Sequence, residues 1–311
     1  MDGKIVIIGA GHVGSHVARA LAAGRIGREI VLVDILPDKA EAQAMDIADS
    51  LSFPAVPMTV RTGSYGDCTD ADVTVVAIGK AREPGQTRLD LLGDSTRMIY
   101  GLAKEMKKAG VGGPVVSITN PCDIMADCLR RQLGLGRYQV FGTGTLLDTA
   151  RLLRTLSEQT GCPRDDIDAF VLGEHGDSSM IPFSAVRIAG KKPEETPGFD
   201  AAFALRRTHE IGMDIINGKG STEFGIGQSA AFLIQNMLLD TKATLPLSVH
   251  LEGEYGLDSI QCGVPCVIGR NGVERIVELP LTEDEQTALR HSAEILKKHT
   301  RLADGIISSL E

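Results

Sequence analysis

Residues 4–14 read KIVIIGAGHVG. Ile5 to Ile8 form an apolar, β-branched run without polar alternation, the pattern of a strand covered on both faces. Gly9, Gly11 and Gly14 follow in the spacing GxGxxG, and an apolar helical repeat over 13–24 begins at once. In that order each glycine has a task. Gly9 permits the turn, Gly11 admits a pyrophosphate to the backbone, and Gly14 lets the helix pack on the strand. The unpaired N–H groups and the dipole of the helix N-terminus then face the phosphates. A second strand, EIVLVDI at 29–35, ends on Asp34, about 20 residues past Gly14. A carboxylate there accepts from both ribose hydroxyls and repels a 2′-phosphate, so the expected cofactor is NAD rather than NADP. Its expected contacts are Gly9, Gly11, His12, Val13, Gly14 and Asp34, with Gly79 and Asn120 at the ends of later strands.

The alternation continues outward from this unit. Strand patterns at 58–63, 73–79, 114–120 and 138–144 are interleaved with helical ones at 38–52, 88–109 and 121–134. Strand, helix, strand, repeated, predicts a Rossmann doubly wound parallel sheet. Past about residue 145 the rhythm changes to α+β. Helices are expected at 145–161, 199–216 and 225–240, and strands at LPLSVHL and VPCVIGRNGV, the latter with an Asn271-Gly272 hairpin signal. Thr282 and Glu285 have capping-box spacing for a closing helix. The expected division is a cofactor domain over 1–143 and a substrate domain over 144–311.

Composition excludes several classes. The chain has 311 residues, 43% hydrophobic and 23% charged, with a net charge of −9. With that balance and no long basic block, nucleic acid and anionic membrane are not expected partners. Tryptophan is absent and aromatics are 4%, too few for a single-strand stacking platform. The six cysteines are scattered without CxxC or zinc-ribbon spacing, so no metal is expected and reduced thiols in the cytoplasm are. The apolar run near the N-terminus is too short for a signal peptide, and no stretch reaches the length of a membrane span.

Four further stretches carry chemistry. GKAREPGQTRLDLL (79–92) follows the fourth strand, where open parallel sheets place ligands, and gathers Lys80, Arg82 and Arg88 around a Pro84-Gly85 bend. It reads either as a solvated basic loop or as a lid over an anion. SITNPCD (117–123) sets Asn120 at the end of the fifth strand. In TGTLLDTAR (143–151), Asp148 and Arg151 share a helix face, as a surface ion pair or as a carboxylate grip. GEHGDSSMIP (173–182) surrounds His175 with glycines, as a simple turn or as a backbone bent to aim an imidazole into a cavity.

Together and in this order, GAGHVG, Asp34, ExPGxTRLDL, TNPCD, TGTLLDTAR and GEHGD resemble the lactate/malate dehydrogenase superfamily across essentially the whole chain. Glu174 in LGEHGDSS, Thr222 in KGST and the RLDLL after the lid arginine resemble its lactate branch, as found in bacteria. The resemblance implies an NAD-dependent L-2-hydroxy acid dehydrogenase. His175 is then the general acid/base, Asp148 its charge partner and Arg88 the residue polarising the carbonyl. Arg151 grips the substrate carboxylate, and Arg82, Asn120 and Thr222 line the substrate pocket. It also implies a homo-oligomer, tetramer or dimer.

Two positions depart from the lactate pattern. Arg82 stands where lactate enzymes usually carry Gln and malate enzymes Arg, so a malate dehydrogenase is the alternative. Leu153 and Asp168 stand where fructose 1,6-bisphosphate-activated relatives carry Arg and His, so no activation through that site is expected. An NAD-dependent glycosidase, which needs a divalent metal, and a non-catalytic NAD-sensing module are remoter readings.

Overall fold

The structure, a computed structural model, describes residues 2–53, 55–79 and 88–311, with 88–90 as helical backbone alone. The stretch that opens the chain forms β1 (Lys4–Ile8), buried along its whole length, and α1 (His12–Ala23). The strand ends at Ile8, where Gly9 turns the chain at φ +101°. Then follow β2 (Glu29–Val33), α2 (Pro37–Asp49), β3 (Thr59–Thr62), β4 (Val73–Val76), α3 (Arg88–Ala109), β5 (Val115–Ser117), α4 (Cys122–Leu133) and β6 (Val140–Gly142). β1 runs parallel to β2 and β4, and β4, β5 and β6 continue in parallel, giving the strand order 3-2-1-4-5-6. This is the expected doubly wound sheet, whose ligand crevice lies beyond the carboxyl ends of the strands.

The second half begins with α5 (Leu146–Thr160), capped at its C-terminus by Gly161 in the left-handed conformation. A short ribbon of β7 (Ile167–Asp168) and β8 (Arg187–Ile188) follows; its two-residue strands are below what periodicity can signal. Next come α6 (Ala201–Lys219), α7 (Phe224–Leu239), β9 (Thr244–Glu252), β10 (Asp258–Gly269), β11 (Gly272–Ile276) and α8 (Glu283–Ser308). The Asn271-Gly272 signal marks the β10–β11 turn, with Gly272 at φ +111°. The Thr282–Glu285 capping box is formed in both directions.

The antiparallel strands β9, β10 and β11 do not form a separate sheet. β9 joins β6 through the single pairing of Gly142 with Ser248, so nine strands make one sheet among the described residues. One hydrophobic core runs through this sheet, and a smaller one gathers Leu152, Leu156, Val171, Ile181 and Ile188 under the β7–β8 ribbon. Helix α7 lies on α1, and a Cβ on Gly227 would meet the His16 backbone at 3.0 Å. Its outward residues Phe224, Phe232 and Leu239 remain exposed. Among the described residues, no helix is long and apolar enough to cross a membrane. No group of three or more His, Cys, Asp or Glu side chains is placed to hold a metal among them.

Candidate active site

Three cavities open along the carboxyl edge of the sheet. The first, of about 430 Å³, is lined by Gly9, Gly11, Asp34, Lys39, Gly79 and apolar residues that include Ile78 and Leu102. The glycines fit a dinucleotide on steric grounds. A Cβ on Gly9 would lie 2.5 Å from the Ala77 carbonyl, and one on Gly14 would lie 1.8 Å from the Gly9 carbonyl. On Gly11 it would meet nothing closer than the Lys39 ammonium at 4.0 Å, so the backbone there is open to a ligand. Asp34 Oδ2 accepts from Ala10 N–H at 2.7 Å and Oδ1 from Leu36 N–H at 3.0 Å, which locks the carboxylate beside the groove. Gly14 is buried in the first turn of α1 rather than on the groove wall, and His12 opens α1 from an exposed position. Lys39, in the first turn of α2, adds a cation to the groove that had not been singled out from the sequence.

The second cavity is small, about 70 Å³, and it draws distant segments together. Val13, Asn120, Thr143, Arg151, His175, Thr222 and Ile226 are among its walls. Val13 thus sits at the junction of α1 with this cavity rather than on the larger groove. Asn120 precedes Pro121 in a cis peptide, and its carbonyl accepts from Ser95 Oγ at 2.8 Å. His175 Nδ1 lies 2.6 Å from Asp148 Oδ2. Arg151 Nη1 donates to the other oxygen of the same carboxylate at 2.9 Å. The Asp148 side chain is 10% exposed, whereas that of His175 retains 25% and lines the cavity. A wider hollow of about 250 Å³, also walled by His175, is lined by Leu92, Asn120, Glu174 and His299.

The electrostatics follow from that geometry. The Asp148 charge pushes the His175 imidazole up to about 9, against the opposing effect of burial. Burial by itself would raise the Asp148 carboxyl, but the charges and hydrogen bonds of His175 and Arg151 hold it below the ordinary carboxylate value. The imidazolium and the carboxylate therefore sustain each other, as expected for a proton donor with a buried counter-ion.

Of the expected site residues, His175, Asp148, Arg151, Asn120 and Thr222 meet at one place. Lys80 and Arg82 lie outside the described residues, and Arg88 is described only as the first backbone position of α3. Leu153 and Asp168 line a common cavity of about 510 Å³ with Phe232 and Pro246. Three residues at the site escaped the sequence reading. Asp123, buried in the first turn of α4, accepts from the His175 backbone N–H at 2.9 Å, and Ser248 Oγ donates to its other oxygen at 2.5 Å. Ser292 Oγ accepts from Glu174 N–H at 2.8 Å. An acid opening a helix reads as a dipole partner, and serines inside a strand and a helix carry no signal of their own.

Comparison with known proteins agrees with this arrangement. Residues 3–142 match the model of the lactate/malate dehydrogenase NAD binding domain, and residues 145–304 match that of the lactate/malate dehydrogenase alpha/beta C-terminal domain. An L-lactate dehydrogenase of Fusobacterium nucleatum is 38% identical over 304 residues, 95% of each chain. Among solved structures, a lactate dehydrogenase from a Medee basin deep-sea metagenome library superposes with a TM-score of 0.94 at 32% identity, covering 97% of this chain and 99% of that one. The malate dehydrogenase of Archaeoglobus fulgidus in complex with NADH superposes with a TM-score of 0.89 at 31% identity, covering the same shares.

Proposed function

Because the chain belongs to the lactate/malate dehydrogenase family, we propose that it is an L-lactate dehydrogenase, interconverting pyruvate and L-lactate. It is an NAD-dependent oxidoreductase acting on the CH–OH group of a 2-hydroxy acid. When bound, NAD supplies the hydride acceptor, and NADH the donor. Gly9 and Gly11 would hold its pyrophosphate, Asp34 its ribose hydroxyls, and Gly79 and Asn120 the approach to its nicotinamide.

The chain's own residues do the rest. In the reducing direction the His175 imidazolium gives its proton to the substrate's carbonyl oxygen, and Asp148 stabilises the charged ring and fixes its orientation. In the oxidising direction neutral His175 takes that proton back. Arg151 binds the substrate carboxylate with the edge of its guanidinium that Asp148 leaves free. Thr222 and Asn120 bound the space for the substrate side chain. Arg88, by its resemblance to the family's motif, would polarise the carbonyl, where charge develops. The observation that supports this reading best is the Asp148–His175 pair at 2.6 Å on a cavity shared with Arg151 and Thr222.

A second reading, malate dehydrogenase, rests on Arg82, whose positive charge suits the second carboxylate of oxaloacetate. The test is NADH oxidation with a panel of 2-oxo acids. Turnover of pyruvate above oxaloacetate supports the lactate assignment, and the reverse order supports the malate one. The same assay with and without a chelator separates both from a metal-dependent glycosidase, and a lack of any turnover would leave a non-catalytic NAD-binding module.

We assign the cofactor domain to residues 1–143 and the substrate domain to 144–311, a division supported by the spans of the two family models. Self-association as a homotetramer or dimer is supported by Phe224, Phe232 and Leu239, exposed on α7. A cytoplasmic location is supported by six cysteines without a disulfide, five of them buried.

A further inference from the structure

The loop that carries His175 is tied down through three consecutive backbone amides, each by a different element. Gly173 N–H donates to the Gly263 carbonyl in β10 at 2.9 Å. Glu174 N–H donates to Ser292 Oγ in α8 at 2.8 Å, and His175 N–H to Asp123 Oδ2 in α4 at 2.9 Å. Gly173 itself sits at φ +96°, where a Cβ would come within 2.6 Å of Ser292 Oγ. Two of the three acceptors are neutral. The third is a carboxylate, and Asp123 is 2% exposed.

Burying a charge is costly, and a neutral acceptor would make the same tie at a lower desolvation cost. The charge therefore calls for a use beyond holding the loop. We infer that Asp123 is a positioning residue for His175, fixing the loop that aims the ring while setting a second negative charge beside that of Asp148. The inference rests on the reading of His175 as the acid/base.

The surroundings are suited to keep that charge. Ser248 Oγ donates to Asp123 Oδ1 at 2.5 Å, and Gln261 Nε2 in turn donates to the Ser248 carbonyl at 2.8 Å. Burial pushes the Asp123 carboxyl up to about 6, with the Ser248 and His175 donors opposing it. The other ionisable neighbours are known. Asp148 and Arg151 reach His175 from α5, Glu174 from its own loop and His299 from α8 across the wider hollow. Cys122, from α4, lines the small cavity, and Cys262, from β10, lies near Asp123; burial raises both thiols well above the ordinary range. Near neutral pH, Asp123 is thus the carboxylate that reinforces Asp148 from a second direction.

The test is the titration of the His175 ring, followed by NMR on the full chain labelled at histidine and assigned with His175→Gln. Asp123→Asn keeps the shape, removes the charge and leaves only one acceptor for two donors. We expect the His175 midpoint to fall by about 0.5–1 pH unit, and the alkaline midpoint of kcat/KM for 2-oxo acid reduction to fall with it. An unchanged ring midpoint overturns the inference, whatever happens to the rate. A shifted ring midpoint with no kinetic counterpart upholds the coupling of Asp123 to the His175 ring but overturns the acid/base reading of His175 on which its use rests. Should Asp123→Asn fail to fold, Ser248→Ala provides the second measurement. It strips a donor from the carboxylate, so the acid-side inflection that Asp123 imposes on the His175 signal moves to higher pH. An unmoved inflection overturns the inference.

Discussion

Asp148 holds His175 and Arg151 at once, the imidazole Nδ1 on Oδ2 at 2.6 Å and the guanidinium Nη1 on Oδ1 at 2.9 Å. One buried carboxylate therefore sets both the charge of the imidazole proposed as proton donor and the place of the guanidinium proposed as substrate anchor. Because the folded imidazole is pushed up to about 9, above its ordinary value of 6.5, the charged form persists through neutral pH and is lost as pH rises through about 9. Reduction of a 2-oxo acid, which needs the proton, is expected to decline through that range, and oxidation of the 2-hydroxy acid to rise. Asp148→Asn keeps the shape and removes the charge. We expect kcat for reduction to fall ~10²–10⁴-fold and the alkaline midpoint to move below its wild-type position. Rate against pH for both variants measures this, and an unmoved midpoint would show that Asp148 does not set the His175 charge.

Arg151→Lys tests the anchor separately from the acid. Lysine keeps the positive charge but offers no pair of parallel donors, so the planar match to a carboxylate is lost. A guanidinium partly buried against α6 has little room to be replaced by a mobile ammonium, for a Cβ on Gly212 would come within 3.3 Å of it. The expected result is a rise in KM for the 2-oxo acid that accounts for most of a roughly 10²-fold loss in kcat/KM, the scale of a truncated buried ion pair. The Kd for NADH is expected to stay within about twofold, because Arg151 is absent from the walls of the cofactor groove. Steady-state kinetics and cofactor titration decide between anchor and scaffold.

The sheet edge of the cofactor half offers a stability test remote from the chemistry. Lys4, only 8% exposed in β1, donates to Asp67 at 3.1 Å and to Asp70 at 2.6 Å. Arg61 in β3 joins Asp67 at 2.7 Å. Although burial acts in the other direction, the Arg61, Ser64 and Lys4 donors bring the Asp67 carboxyl down to about 2. A depressed carboxyl adds stability above its unfolded value, near 3.8, and loses it as pH falls toward 2. Asp67→Asn is therefore expected to cost about 2 kcal/mol at pH 7, and the gap in stability to the wild type should close between about pH 4 and pH 2. Denaturant unfolding at several pH values follows it. A gap of constant size would mean that the amide loses packing rather than charge.

Much of this was legible because the decisive signals are local. Ile5–Ile8 with its glycines, the unalternating β4 and β5, and the Thr282 cap each carry their structure within a few residues. The joining of β9 to β6 was not legible, since it rests on one pairing between Gly142 and Ser248 across about a hundred residues of chain. β10 begins at Asp258, six residues before the apolar run that betrayed it, because Ser259, Gln261 and Gly263 break the pattern of a buried strand. The site divides in the same way. His175, Asp148 and Arg151 announce themselves by residue type in recognisable stretches, whereas Asp123 matters through a contact with a backbone amide 52 residues away. Side-chain periodicity has no means of registering such a contact.

Leu153 and Asp168 bear on regulation. They face one cavity between α5, the β7–β8 ribbon and α7, where Phe232, Leu146 and Pro246 supply apolar walls. An aliphatic side chain and a carboxylate give a phosphate neither a donor nor a favourable charge. Adding fructose 1,6-bisphosphate is expected to leave the KM for pyruvate within about twofold of its value without effector. A severalfold fall would show that phosphates are bound through other residues. Leu153→Arg together with Asp168→His would restore the cationic pair, and a bisphosphate-dependent KM appearing only in that double variant would establish that these two positions hold the difference.

The last prediction concerns the choice of substrate, which turns on Arg82. A guanidinium facing a closed, dry cavity is stabilised by the distal carboxylate of oxaloacetate. Over the methyl group of pyruvate it would stand partly desolvated and unpaired, at a cost of a few kcal/mol. Thr222 acts in the opposite sense, since its branched side chain narrows the wall that His175 and Arg151 share with it. If Arg82 faces the substrate, Arg82→Gln removes the attraction for the second carboxylate and relieves the penalty with pyruvate. The ratio of kcat/KM for pyruvate to that for oxaloacetate is then expected to rise by about 10²-fold, the change that some 3 kcal/mol produces. Thr222→Gly in the same background widens the wall and is expected to return part of the oxaloacetate activity. A ratio left unchanged by Arg82→Gln would place that guanidinium in solvent, and the lactate assignment would then stand on Thr222 and the residues around His175 without any contribution from residue 82.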